Sequence, residues 1–217
     1  MWVFLLAGLT LGSLTFSSAG EDRLQEVLAA MEKAGERLTT LAARFEQTNY
    51  DYVLGEEETI SGQLFVKVPG RIRWEYVPPR PKVLLVRDDK VLLYNPVAHQ
   101  VQEFDRRKMK GAGADLLVGF GRSNAEIAKN YDPRLVEETG TTVVLELIPK
   151  PGTAPSVFTA IELSVDKQRW IPVRSVFHEP NRDTATIDFL QVQINGVLPE
   201  RIFELELPPD VEFIREN

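Results

Sequence analysis

Between residues 62 and 96 the chain reads G-Q-L-F-V-K-V-P-G-R-I-R-W-E-Y-V-P-P-R-P-K-V-L-L-V-R-D-D-K-V-L-L-Y-N-P. Within it Ile72, Trp74 and Tyr76 alternate strictly with Arg71, Arg73 and Glu75. Successive side chains of a strand point to opposite faces, so this segment presents one aromatic-aliphatic face and one charged face. Pro69-Gly70 before it and Pro78-Pro79 after it bound the run, because proline cannot donate to a sheet ladder. The charged face suits water. The apolar face must meet a core, a lid or an apolar ligand.

Upstream, Leu24, Val27, Leu28, Met31, Leu38, Leu41 and Phe45 recur at helical spacing, with Glu26, Lys33, Glu36 and Arg37 between them. This predicts an amphipathic helix of about six turns whose apolar stripe needs a sheet to lie on. Glu21 and Asp22 stand near its start, where carboxylates complement the helix dipole. From Glu46 the pattern becomes strand-like, with a turn expected over Gly55 to Glu58 and strands at about 60–68, 71–77, 82–87, 90–95 and 100–105. Asp88-Asp89 joins the strands of 82–95.

The stretch G-A-G-A-D-L-L-V-G-F-G at 111–121 breaks that rhythm, crowding Leu116, Leu117, Val118 and Phe120 between glycines without strand alternation. A short apolar helix with hinge-like ends at Gly111, Gly113, Gly119 and Gly121 fits it, followed by a more polar helical piece at Ser123 to Lys129. Ser123 and Glu126 have capping-box spacing. The remainder predicts antiparallel strands at 133–138, 141–148, 157–165, 169–178, 184–194 and 201–207, with turn signals at Glu138-Thr139-Gly140, Asp166-Lys167 and Asn195-Gly196. Neither a repeat nor a linker divides the chain.

Residues Trp2 to Phe16 are apolar apart from Gly, Thr and Ser, and the small residues of Ser17-Ser18-Ala19 follow. This predicts a signal peptide over 1–19, cleaved near Ala19, and a mature domain over 20–217. The run is short for a membrane span. No Lys or Arg precedes it, as one ordinarily does in a leader. The absence of cysteine excludes disulfides, thiolate chemistry and a lipid anchor on an N-terminal cysteine. Every charge lies after Ala19, so the formal net charge of −7 belongs to the mature chain. An acidic chain without a basic cluster argues against nucleic acid as partner.

The residues offer little to catalysis. His99 and His178 are the only histidines, so no two-histidine zinc motif exists, and no metal or cofactor is expected. No serine stands in a G-x-S-x-G elbow, and the glycines at 111–121 lack a Walker lysine. Most carboxylates alternate with apolar residues, as in Glu204-Leu205-Glu206-Leu207, which reads as a solvated strand face. No catalytic residue is expected.

In order along the mature chain, L-A-A-R-F-E-Q-T at 41–48, G-Q-L-F-V-K-V-P at 62–69, I-R-W-E-Y at 72–76, K-V-L-L-Y-N-P at 90–96 and F-E-L-E-L-P-P-D-V-E-F-I at 203–214 resemble the periplasmic outer-membrane lipoprotein carrier family, LolA. The resemblance implies an α+β single domain: a strongly curved open antiparallel half-barrel covered by a long N-terminal helix and short lid helices. It also implies a soluble, monomeric periplasmic carrier. Such a carrier takes acylated lipoproteins from an inner-membrane lipoprotein-releasing ABC transporter and passes them to an outer-membrane acceptor. Phe45, Leu64, Ile72, Trp74, Tyr76, Leu92 and Tyr94 are the expected cavity wall, with Leu64, Leu92 and Tyr94 placed by strand parity. Leu116, Leu117 and Phe120 are the expected inner face of the lid, which the four glycines would hinge. Family members carry an arginine before the proline of V-K-x-P, and it holds the lid shut; here the position is Val68, while Arg71 and Arg73 fall on the charged parity of the next strand. Two other readings of the same fold stay open: a carrier of free phospholipid or glycolipid, and a lipid-sensing regulatory protein.

Overall fold

The computed structural model describes residues 18–106, 124–152 and 158–215. Helix α1 spans Ser18–Glu36 and buries Val27, Leu28 and Met31. It closes in a tight turn, with Arg37 N donating to Ala34 O and Leu38 N to Gly35 O. The six-turn helix expected through Phe45 is therefore shorter. Leu41 and Phe45 belong to strand β1, Thr40–Asp51, where Leu41, Ala43 and Phe45 are buried at alternate positions. The spacing of 41 and 45 fits a helix as well as a strand. Pairing of β1 with a strand on each side decides between them.

The next strands are β2 (Glu56–Lys67), β3 (Arg71–Tyr76), β4 (Lys82–Arg87), β5 (Lys90–Asn95) and β6 (Gln100–Asp105). The β1–β2 turn lies earlier than expected, at 52–55, with Glu56 to Glu58 already in β2. Asp51 places it: its carboxylate accepts from the backbone N–H groups of Val53 and Leu54, and Gly55 takes the left-handed φ of 66° that follows. Helix α2 (Asn124–Asn130) agrees with the second helical piece. Strands β7 (Tyr131–Glu138), β8 (Thr142–Pro149), β9 (Ala160–Asp166), β10 (Ile171–His178) and β11 (Thr184–Ile194) follow.

Among the described residues, twelve strands form one open sheet in the order β12-β6-β5-β4-β3-β2-β1-β11-β10-β9-β8-β7. Every neighbouring pair is antiparallel except β12 (Glu212–Arg215), which runs parallel to β6. The expected strand at 201–207 does not form. Glu200–Phe203 is a 3-10 turn, and residues 204–208 join no strand ladder before β12. The alternation there is real, with Leu205 and Leu207 half-buried and Glu204 and Glu206 exposed, but it reports one covered face and not a hydrogen-bonded strand.

Helix α1 packs on β7, β10 and α2, and defines the inner face of the sheet. One apolar cluster runs beneath it from Val143, Leu145 and Leu147 of β8 through Ile161, Leu163 and Val165 of β9 to the aromatic residues of β1 and β3. Arg23 fastens the helix at the far edge: its guanidinium donates to both carboxylate oxygens of Glu138, at 2.9 and 2.6 Å. Lys167 Nζ donates to the same carboxylate at 2.7 Å.

Candidate functional site

Direct cross-strand partners share a face of a sheet. Leu64 faces Trp74, Val66 faces Ile72 and Gly62 faces Tyr76. Phe45 faces Gly62 on one side and Phe189 on the other. The register thus brings Phe45, Leu64, Ile72, Trp74 and Tyr76 together on the inner face, in the same cluster as Val27, Leu28 and Met31 of α1.

Leu92 and Tyr94 are not with them. Glu75 pairs with Val83 and Val83 with Tyr94, while Arg73 pairs with Leu85 and Leu85 with Leu92, so both stand on the outer face. There Val83, Tyr94 and Val101 form a second cluster, with Leu92, Leu205, Leu207 and Val211 packed around it. The inner-face positions of β5 are Val91 and Leu93 instead. The parity expectation fails because K-V-L-L-Y is apolar at odd and even positions alike, and only pairing assigns its faces.

Trp74 is the centre of the aromatic cluster, 1% exposed, with Phe45 at a ring-centroid distance of 4.8 Å and Phe189 nearly edge-on at 6.1 Å. Tyr76 stands at right angles to Phe45 at 5.2 Å. The contribution of Phe189 was not legible in the sequence, since it depends on the β1–β11 register. Gly62 belongs to the same group, and its position opposite an aromatic strand is the sequence signal for it.

One polar row crosses this apolar floor. Tyr76 Oη donates to Gln47 Oε1 at 2.9 Å, and Gln47 Nε2 donates to Asn49 Oδ1 at 2.8 Å. Burial pushes the Tyr76 phenol up to about 12, and the neighbouring Trp74 indole acts in the opposite direction. That influence does not amount to a hydrogen bond: Trp74 Nε1 is buried and has no partner. The arrangement can hold long apolar groups and offer them a few neutral polar contacts. It places no nucleophile beside a base.

The charged face of β3 is less open to water than its alternation suggests. Arg73 donates to the carbonyl oxygens of Ile202 and Glu204, at 3.2 and 2.9 Å, and to Glu75 at 2.7 Å. Lys67 and Arg71 both pair with Glu200 of the 3-10 turn. These cations therefore fasten the C-terminal segment to the outer face, away from the inner wall. Val68, at the family's arginine position, is exposed, and its N–H donates to Thr39 O. His99 bonds to Asp210 and His178 to Glu162, each at 2.8 Å. Among the described residues no group of three or more His, Asp or Glu is placed to hold a metal ion, and no helix is long and apolar enough to cross a membrane. Leu116, Leu117, Phe120, the glycines at 111, 113, 119 and 121, and the cap at Ser123 lie outside the described residues.

Comparison with known proteins agrees with this architecture. The family model for the outer membrane lipoprotein carrier protein LolA matches residues 36–206. The outer-membrane lipoprotein carrier protein of Pseudomonas paraeruginosa is 27% identical over 213 residues, covering 97% of this chain and 96% of that one. Its counterpart in Pseudomonas putida is 26% identical over 216 residues, covering 99% and 98%. Among solved structures, an uncharacterized conserved protein from Thermus thermophilus superposes with a TM-score of 0.59 at 18% identity, covering 88% of this chain and 98% of that one. At that identity it speaks for the fold alone.

Proposed function

We infer the function from this premise: the chain belongs to the LolA family of outer membrane lipoprotein carrier proteins. It is a periplasmic carrier that takes the acyl chains of lipoproteins onto the inner face of its sheet and ferries them from the inner to the outer membrane. The observation that carries this reading is the continuous apolar inner face from β8 to β3, built on a sheet whose edges, β7 and β12, are not paired with each other. An open sheet admits a chain along its whole inner face by moving only what covers that face.

Acyl burial contributes about 0.8 kcal/mol per methylene, so one sixteen-carbon chain contributes on the order of 10 kcal/mol. A protein that gained all of that would not release its cargo. Here the wall is already packed against its own side chains, with Phe45, Leu64 and Trp74 at most 1% exposed. Admitting a chain exchanges one apolar contact for another, and the net affinity falls between those of a donor and an acceptor. In this reading 111–121 is the lid, with Leu116, Leu117 and Phe120 inward, and with Val68 in place of an arginine the closed state rests on apolar packing. Residues 1–19 are the leader and 20–217 the mature, monomeric carrier. An inner-membrane ABC transporter loads it and an outer-membrane acceptor unloads it.

The test is release of lipoprotein from spheroplasts. Adding the mature chain should bring newly made lipoprotein into the soluble fraction as a one-to-one complex. If lipoprotein stays on the membrane while free phospholipid copurifies with the chain, the cargo is lipid alone. If neither copurifies, the carrier function is wrong.

A further inference from the structure

We propose that the indole N–H of Trp74 is the donor for the ester carbonyl of an acyl chain bound on the inner face, so that the wall distinguishes an acyl ester from a bare hydrocarbon. The inference rests on the carrier reading and adds to it the part of the ligand that is read. An indole nitrogen can only donate, and when buried it ordinarily finds an acceptor. In this protein Nε1 is buried without one, in a residue 1% exposed. Its aromatic neighbours Phe45 and Phe189 bring no oxygen, and the Tyr76 hydroxyl, whose proton goes to Gln47, lies nearby without meeting the indole in hydrogen-bond geometry.

The row Tyr76, Gln47 and Asn49 gives the site a direction. Phe45, Gln47 and Asn49 are alternate residues of β1 and share its inner face. Polar contacts therefore run from beside Trp74 toward the β1–β2 turn, while Leu64, Val66 and Ile72 continue the wall in apolar form the other way. An acyl chain has the same asymmetry: hydrocarbon along its length, one carbonyl oxygen at its head end. With the carbonyl on Trp74 Nε1, the tail lies along Leu64 and Ile72 and the polar head leaves past Gln47 and Asn49. Diacylglyceryl groups of lipoproteins and of phospholipids share this chemistry.

The experiment uses the mature chain and two matched pairs of probes. One is a dipalmitoyl-glyceryl-cysteine peptide with its dihexadecyl ether counterpart; the other is a dipalmitoyl phospholipid with its ether counterpart. The pair that binds identifies the source of the chain. Within that pair the ester should bind roughly three- to ten-fold more tightly than the ether, the worth of one neutral hydrogen bond. In Trp74→Phe the ester and ether should bind alike. In the wild-type protein, with its two mature tryptophans labelled with nitrogen-15, the Trp74 indole proton should move downfield with ester and not with ether. Equal binding of ester and ether by the wild type overturns this inference and leaves the carrier standing. So does a preference that survives in Trp74→Phe, or an indole proton that ignores the carbonyl. The proton shift decides the matter if that variant does not fold. Failure of all four probes to bind removes the carrier reading and this inference together.

Discussion

The ring of Phe45 occupies the space that a side chain on Gly62 would need: a Cβ built on Gly62 lies 2.4 Å from the ring's Cζ and 2.1 Å from the carbonyl oxygen of Glu75. The two residues are cross-strand partners on β1 and β2. Glycine here is a requirement of close approach, and it lets the aromatic wall lie flat against the sheet.

Gly62→Ala should therefore destabilise the protein. The methyl group meets backbone on one side and a fully packed ring on the other, and such overpacking costs about 1–3 kcal/mol. For a domain of this size that corresponds to a fall in melting temperature of several degrees. Thermal unfolding of the mature chain checks it, and an unchanged melting temperature would mean that the Phe45 ring is free to move aside.

Trp74 should emit at short wavelength, since it is buried among Phe45, Tyr76 and Phe189. Trp170 is partly exposed and must be replaced by Phe to isolate the signal. In that background the Trp74 band should shift again when a diacylated peptide binds. A spectrum untouched by saturating lipid would take Trp74 out of the binding wall.

Under the proposal that 111–121 is a lid, Leu117→Glu should impair lipid uptake while leaving the fold largely intact. A carboxylate facing an apolar cavity must lose its hydration or take a proton, and either is costly without a partner. In a static core the same change would cost several kcal/mol, roughly the upper end for point substitutions. Melting temperature and lipidated-peptide binding, measured together, separate the two cases. A sharp drop in melting, or unimpaired binding, counts against the lid.

Acid should loosen the attachment of α1. Hydrogen bonds from Arg23, then from Lys167, hold the Glu138 carboxyl at about 2, below its usual 4.5. A depressed carboxyl contributes stability that is present above its unfolded value, and is lost as pH falls from about 4.5 toward 2. Glu138→Gln should flatten the pH dependence of the urea midpoint in that window and leave its value near neutrality little changed, because an exposed pair contributes modestly. A wild-type midpoint that does not vary there would exclude the linkage.

Much of the architecture was legible in residue order. The alternation of Ile72, Trp74 and Tyr76 with Arg71, Arg73 and Glu75 is found intact in β3, with Ile72 and Trp74 buried and the rest half-buried. Turns at Asp88-Asp89, Thr139-Gly140 and Asn195 stand where their residue types placed them, because turn chemistry is local. Where a run is apolar at every position, as in K-V-L-L-Y, or where spacing fits two periods, as from Leu38 to Phe45, local pattern has no preference to express.

Residue order alone thus determined most of the segments that extend, where most of them turn, and which face of β3 avoids water, since these follow from side-chain alternation and backbone preference within a few residues. Tertiary structure decided the rest. Pairing of β5 with β4 put Leu92 and Tyr94 on the outer face. Pairing of β1 with β11 brought Phe189 to Trp74. Arg73, with Lys67 and Arg71, drew the C-terminal segment over the face that alternation had assigned to solvent. The first two depend on strand register, where a shift of one residue would exchange the two faces of a strand, and the third on side-chain contacts between residues distant in sequence.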